Sequence, residues 1–513
     1  MKNKHSDDII WRLAKEDFME GMEFLPGIKE IVPLTDEEVW RGVQGEINAI
    51  NLKTSMGPPH FQKKKAFFKF EDEGTFVRED IQKHIELIQE TLDSGCIFVP
   101  LCVHSLKDEA VSQEKHDAFK TRVFNTMSTA YNANLKKYVT PLASFMRKHW
   151  KFFESAVGLD VTSWDADEIV NFMISVFNKK ITLAELREKM NSGDGDFQYY
   201  DITLSSQVRL MEAEFWKDFA GMTSYSARDQ QRTHLLVLGT MYTMRYIKND
   251  LFIMAFSNPS GSNITINTND VCNSLSFRYC YYAEKMERAG IVAYELTMSL
   301  QSGIWPKYFS LLLIFRSMTG EYFGFRTYIH LITLGDDNWF TVADSALWFN
   351  YEVLGRRMVE AGQVYTAADK KSTNLALKTV FDCSFLKRSF EFEDGRWKAR
   401  IELKSIVKML AYLKDSDLGE KDHCAVLVSN ACRELYFHGE EIFEEWMVHV
   451  DAAVAELALE ESLLLSLFTY QQLDKMFHEK KYPKWLQADR AELFNFAPLQ
   501  GATTEEGIAV AGL

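Results

Sequence analysis

The stretch that most constrains this chain is residues 326–342, RTYIHLITLGDDNWFTV. Two arms rich in β-branched and aromatic residues, 328–334 and 339–342, flank the polar centre Gly335-Asp336-Asp337-Asn338. That pattern predicts strand, tight turn, strand. Neighbouring carboxylates at the tip of an apolar hairpin repel one another, and a divalent cation is the usual relief. Mg²⁺ takes one or two carboxylates and completes its shell with phosphate and water. The same four residues also suit an ordinary solvated turn, so their meaning depends on the rest of the chain.

At 513 residues the chain is long enough for two or three domains with a large core. Its seven cysteines are scattered without a C-x-x-C pair, which argues against a disulfide framework and for a reducing compartment. His423, Cys424, Cys432 and His438 match no zinc spacing. The N-terminal MKNKHSDDII has no apolar signal-peptide core, and apolar runs such as 308–315 are too short to span a bilayer. A soluble intracellular protein without a transmembrane segment is expected. The net charge of −15 opposes a polyanionic partner, but its distribution reverses that. Residues 118–151 hold seven basic side chains and no acid, and Lys63, Lys64, Lys65 and Lys69 interleave with phenylalanines. An acidic shell around basic segments is compatible with a nucleic-acid channel.

In chain order, Thr35-Asp36-Glu37-Glu38 opens a capped helix, and residues 51–65, NLKTSMGPPHFQKKK, form a stiff loop followed by lysines. Residues 107–122 are expected to be extended, so that Lys115, Lys120 and Arg122 converge on one groove. Residues 157–165, VGLDVTSWD, are expected to run as a strand into a helix, with Asp160 and Asp165 near one cleft. Gly193-Asp194-Gly195-Asp196 reads as a loop tip. Residues 256–269 join a Pro-Ser-Gly loop to a helix whose one face carries Thr265 and Asn269. A turn at 365–371 carries Asp369 and Lys370, 385–390 is a short basic strand, and the periodicity from about residue 403 is helical.

Taken in order, these pieces resemble the RNA-dependent RNA polymerases of picorna-like positive-strand RNA viruses, including picornaviruses, dicistroviruses and iflaviruses. The template loop of that family is similar to Thr54-Ser55-Met56-Gly57. Its KDE…K…KTR motif is similar to residues 107–122, and its D-x4-D motif to Asp160 and Asp165. SGxxxTxxxN resembles Ser260, Gly261, Thr265 and Asn269, GDD resembles 335–337, and FLKR resembles 385–388. Leu334 stands where the family usually has Tyr, and Val111 where it often has Arg. The 101 positions from Asp160 to Gly261 and the 75 from Gly261 to Asp336 look long, implying insertions within 179–232 and 291–324.

The resemblance implies an α+β right-hand polymerase with fingers, a palm of antiparallel sheet plus helices, and a helical thumb. Its expected layout is fingers at 1–155, palm at 156–178, a fingers insertion at 179–255, palm at 256–384, and thumb with tail at 385–513. It implies catalytic roles for Asp160, Asp336, Asp337 and Lys370, with the three aspartates binding two Mg²⁺ or Mn²⁺ ions. Lys115, Lys120, Arg122, Asp165, Ser260, Thr265 and Asn269 would bind nucleotide. Thr54, Ser55, Gly57, Lys63, Lys64, Gly261, Lys387 and Arg388 would bind RNA. The implied partners are RNA template and nascent strand, NTPs, a genome-linked priming protein and other viral replication proteins. The implied location is host cytoplasm, in membrane-associated replication complexes. A non-catalytic RNA-binding scaffold is the rival from another class, and a reverse transcriptase is a weaker one. Gln500-Gly501 resembles a junction cut by picorna-like viral proteases.

Overall fold

The structure, a computed structural model, describes residues 8–107, 109, 111, 113–177, 180–293, 295–296, 310–320, 323–368, 376–413 and 418–479. It forms two compact units. The first comprises Met1–Ser105, Phe124–Val157 and Met173–Thr379; the second comprises Leu106–Val123, Gly158–Phe172 and Val380–Leu513.

The strands, in chain order, are β1 (Phe68–Glu71), β2 (Gly74–Val77), β3 (Leu101–Leu106), β4 (Val123–Met127), β5 (Ser192–Phe197), β6 (Tyr242–Ile247) and β7 (Asp250–Ala255). They continue with β8 (Ile329–Leu334), β9 (Asp337–Val342), β10 (Tyr365–Ala367), β11 (Ser384–Phe385), β12 (Arg388–Glu393) and β13 (Arg396–Ile401). The central sheet of the first unit has the order β10-β5-β9-β8, every pair antiparallel. A second sheet runs β4-β3-β6-β7, and β1 pairs with β2 as a hairpin.

The central sheet is backed by the helix Thr265–Ala289, most of which is buried. A helix apolar on one stripe would be expected at a surface; this one mixes buried Asn, Ser, Asp and Arg with aromatics because it is packed on several sides. Trp11 of the helix Asp8–Met19 stacks on Tyr279 at 4.4 Å between ring centroids. Arg278 is fully buried, bonded to Glu154 at 2.7 Å and to Asp17 at 2.8 Å, with Phe18 and Phe325 lying over its guanidinium. Removing one partner from such a pair costs about 3–5 kcal/mol, because it strands a buried charge. The helix Leu311–Thr319, within the insertion expected at 291–324, docks on the same N-terminal helix. There Glu16 accepts from the Leu312 amide and Glu20 pairs with Arg316.

In the second unit β11-β12-β13 form an antiparallel sheet. Helices follow at Leu403–Leu410, Glu420–Tyr436, Glu440–Glu456 and Tyr470–His478, closing over Ile406, Leu435, Phe443 and Phe477. Over the described residues from 403 to 479 the expected helical periodicity is met, as is the Thr35–Glu38 capping box. One boundary is corrected: residues 179–255 are not a single insertion outside the central sheet, since β5 lies inside that sheet. Among the described residues no helix is long and apolar enough to cross a membrane.

Candidate active site

The hairpin predicted at 326–342 is present as β8 and β9. The last strand pair is Leu334 with Asp337, which leaves Gly335 and Asp336 as a two-residue turn. Such turns need positive φ, and Gly335 sits at +68°. The carboxylates of Asp336 and Asp337 therefore project from the end of a strand pair whose other side chains are almost all buried.

β5 lies antiparallel to β9, with Gly195 opposite Asn338. One residue further along the same register, Asp196 is level with Asp337. The alternation Gly-Asp-Gly-Asp has a packing cause. A Cβ at Gly193 would lie 2.3 Å from the Phe340 ring, and one at Gly195 would lie 1.9 Å from the Tyr365 hydroxyl. The glycines let those rings cross the strand, and the Tyr365 hydroxyl donates to Asn338 Oδ1 at 2.7 Å. Asp194 is buried and neutralised by Lys378 Nζ at 2.6 Å, with the Tyr351 hydroxyl beside it. Asp196 is only half-buried. Three carboxylates, Asp196, Asp336 and Asp337, thus share one end of one sheet. An all-oxygen, three-carboxylate donor set is the chemistry that Mg²⁺ and Mn²⁺ take.

Beyond β5 the chain turns at Tyr199, at φ 56°, into the short helix Tyr200–Thr203. Asp201 there accepts from Asn269 Nδ2 at 3.1 Å, and Asn269 Oδ1 accepts from Asn258 Nδ2 at 2.7 Å. The Tyr200 hydroxyl donates to the Asn269 carbonyl at 3.1 Å, and burial drives its pKa well up. Asp201 and Asn269 are therefore held as a pair by buried hydrogen bonds. The loop that starts the long helix is shaped by the other expected residues. Ser260 Oγ accepts from the Asn125 amide at 3.0 Å, and Thr265 donates to the carbonyls of Pro259 and Ser262. A Cβ at Gly261 would lie 1.7 Å from the Asn125 carbonyl oxygen.

Several expectations are corrected. Residues 157–164 are turns and loop, not a strand. Asp160 belongs to the second unit, where its carboxylate accepts from the amide and hydroxyl of Thr162, a local turn closure. Asp165 begins the helix Asp165–Ile174 and accepts from the Asp160 amide at 2.7 Å. Burial raises its pKa, opposed by that amide and reinforced by the Asp160 charge. The partner of Asn269 is Asp201, not Asp165. Asp196 and Asp201 repeat the D-x4-D spacing. The glycines of residues 193–196 disguise that spacing, because Gly-Asp-Gly-Asp has the composition of a loop tip. The signal available was the short pleat-compatible run before an acidic-aromatic turn, FQYYD. From Asp196 to Gly261 is 65 positions, which removes the reason for inferring an insertion there.

Residues 113–122 are not an extended ribbon either. Lys115 lies on the short helix Gln113–Asp117, and the Lys120 amide turns back to its carbonyl at 2.8 Å. Both lysines are exposed, and the Arg122 guanidinium is paired with Glu109. The loop at Thr54–Gly57 closes on itself: Thr54 donates to the Asn51 carbonyl, and Ser55 Oγ accepts from the Gly57 amide. Gly57 is at φ +68°, and a Cβ there would meet the Met127 carbonyl at 2.3 Å. Lys63 is exposed, whereas the Lys64 ammonium is mostly buried against Thr54 and its pKa falls to about 8. Within the basic run 118–151, Lys136, Lys137, Arg147 and Lys148 brace residues 36–48. Lys387 is exposed at a left-handed turn (φ 60°), but Arg388 is buried in a bidentate pair with Glu434 and is not placed to touch RNA. Lys370, Asp369 and Gln500-Gly501 lie outside the described residues.

Residues 2–455 match the family model described as viral RNA-dependent RNA polymerase. The chain belongs to that family. The chain is 26% identical over 437 residues to the replicase polyprotein of Drosophila C virus, covering 80% of this chain and 22% of that polyprotein. It is 24% identical over 432 residues to the replicase polyprotein of Cricket paralysis virus, with 80% and 22% covered. With the RNA1 polyprotein of Andean potato mottle virus the figures are 26% over 405 residues, covering 76% and 50%. The chain therefore spans about a fifth of the first two relatives. The solved Sicinivirus 3Dpol RNA-dependent RNA polymerase superposes with a TM-score of 0.64 at 15% identity, over 90% of this chain and 83% of that one. The fold is that of the right-hand polymerases.

Proposed function

We propose that this polymerase performs template-directed RNA synthesis from NTPs, replicating a positive-strand viral genome, with Asp196, Asp336 and Asp337 as its metal-binding carboxylates. The observation that carries the reading is the β5–β9 register, which brings Asp196 level with Asp337 beside the Gly335–Asp336 turn. Two Mg²⁺ or Mn²⁺ ions held there would neutralise charge on the reacting phosphates and lower the pKa of the 3′-hydroxyl. The chain's own residues do the positioning. Asp201 and Asn269 present a carboxylate and an amide fixed by their neighbours, suited to bonding the 2′-hydroxyl that separates ribose from deoxyribose. Lys115, Lys120 and Arg122 are assigned the triphosphate contacts by resemblance alone, a role for which Arg122 would exchange Glu109 for phosphate. Lys63 and Lys387 offer point charges to RNA phosphates. Lys370 is assigned proton donation to the leaving pyrophosphate by resemblance alone.

A genome-linked priming protein, further replication proteins and membrane-associated replication complexes in host cytoplasm belong to the same proposal. The test is primer extension on a heteropolymeric RNA template with Mg²⁺ or Mn²⁺, beside Asp336→Ala. Template-dependent product from wild type alone supports the assignment; equal extension by the variant defeats it.

A further inference from the structure

The helix Thr265–Ala289 does more than back the sheet. Asp270 and Asn273 lie three residues apart on it, and both reach the Gly335–Asp336 turn. Asp270 Oδ1 accepts from the Gly335 amide at 2.6 Å. Asn273 Nδ2 donates to the carbonyls of Gly335 at 3.2 Å and Asp336 at 3.3 Å. Asn338 Nδ2 adds a second donor to the Asp336 carbonyl at 3.1 Å. Asp270 and Asn273 are 1% and 0% exposed, so water cannot take their place. A two-residue turn in an isolated hairpin would leave those backbone groups to solvent; here a neighbouring helix satisfies both polarities.

We propose that Asp270 and Asn273 are positioning residues that clamp the Gly335–Asp336 peptide and so aim the Asp336 carboxylate at its cation. The inference rests on the metal assignment proposed above. The clamp is braced from behind. The Ser155 hydroxyl donates to Asp270 Oδ2, and the Ala156 amide donates to the Thr333 carbonyl at 2.8 Å. The Thr333 amide and hydroxyl return to the Glu154 carbonyl at 2.7 and 3.0 Å, and Glu154 is held by Arg278. The turn is thus tied through one strand edge to the buried ion cluster. Asn269, next to Asp270, holds Asp201, so a single helical turn fixes both the cation-facing peptide and the ribose-facing carboxylate. Asn273 Oδ1 is buried without a partner among the described residues. The side chain keeps its orientation despite that unmet acceptor, as expected when its amide nitrogen is held by two carbonyls.

The deciding measurement is Mn²⁺ binding by the full chain, read from the electron paramagnetic resonance of free Mn²⁺. It compares wild type, Asp336→Ala, Asp270→Ala, Asp270→Asn and Asn273→Ala, with melting temperatures taken in EDTA. Asp336→Ala should remove the site. Asp270→Ala and Asn273→Ala should each raise the Mn²⁺ Kd about tenfold. Asp270→Asn, which keeps an acceptor oxygen for the Gly335 amide, should stay within about twofold of wild type. The Mn²⁺ needed for half-maximal primer extension should move in parallel, while the KM for NTP at saturating metal moves less. Wild-type Mn²⁺ affinity in Asp270→Ala or in Asn273→Ala overturns the clamp, as does an Asp270→Asn variant as damaged as Asp270→Ala. Should Asp270→Ala fail to fold, Asn273→Ala decides. Failure of the polymerase reading is separate: wild type would then give no template-dependent product whatever its Mn²⁺ isotherm. A wild type with no Mn²⁺ site sensitive to Asp336 overturns both.

Discussion

Two segments of this chain carry the same D-x4-D spacing, Asp160–Asp165 and Asp196–Asp201, and the fold treats them oppositely. The first lies in the second unit as a turn that closes on its own Thr162 and runs into a helix. The second starts in β5, between β9 and β10, and ends in the short helix Tyr200–Thr203, whose Asp201 meets Asn269. The spacing of carboxylates is common to both. What differs is the neighbour each is given: local backbone and a hydroxyl in one case, a second carboxylate-bearing strand and a fixed amide in the other. Carboxylates are gathered by their neighbours rather than by their spacing, because the repulsion between them must be sustained by packing.

The largest effect expected is on chemistry. Asp196→Ala and Asp336→Ala should each lower primer extension at least about thousandfold, as loss of a charge-stabilising group does. Asp160→Ala should keep extension within about threefold of wild type, and a thousandfold loss in that variant would return the metal role to the first segment. Next comes an effect on stability from an adjacent pair that repeats the lesson. Arg388→Ala should cost about 3–5 kcal/mol by stranding Glu434, whereas Lys387→Ala should leave denaturant unfolding unchanged and weaken RNA binding only slightly. Equal midpoints for the two variants would remove that distinction.

A smaller difference should appear in sugar selection. Asp201→Ala and Asn269→Ala should reduce the preference for NTP over dNTP by about 10–100-fold, since each removes a fixed hydrogen-bonding group. Asp165→Ala should leave the preference unchanged, and the reverse ranking would reassign the ribose contact. The smallest effect concerns pH. Burial pushes the Asp270 carboxyl up to about 8, opposed by its bonds to Ser155 and the Gly335 amide. Between the ordinary carboxylate pKa of about 4 and 8, the folded chain holds a proton that the unfolded chain has released. Stability from this group therefore falls as pH rises through that window. With metal removed by EDTA, the melting temperature of wild type relative to Asp270→Asn should drop from pH 5 to pH 8; parallel curves would contradict the raised pKa.

Much of the fold was legible from the sequence alone, for reasons that are local. Two short arms of β-branched and aromatic residues around Gly335-Asp336 specify a hairpin because such residues favour extended backbone and the glycine supplies the tight turn. Thr265 and Asn269 are one helical turn apart wherever that helix packs, and Thr35 with Glu38 caps a helix without help from the rest of the fold. The order of such pieces sufficed for the family and the fold class. What tertiary structure decided was pairing at long range. Arg388 and Lys387 are equal bases in sequence, and only the burial of Glu434 separates them. Lys136 and Lys137 look like a nucleic-acid patch until they meet the carbonyl of Asn48 and the carboxylate of Asp36. The glycines of β5 look like a flexible tip until the rings of Phe340 and Tyr365 fill the space they leave. About 140 residues separate Asp196 from Asp337, and their meeting depends on strand register, which is set by the buried face of the whole sheet rather than by either segment.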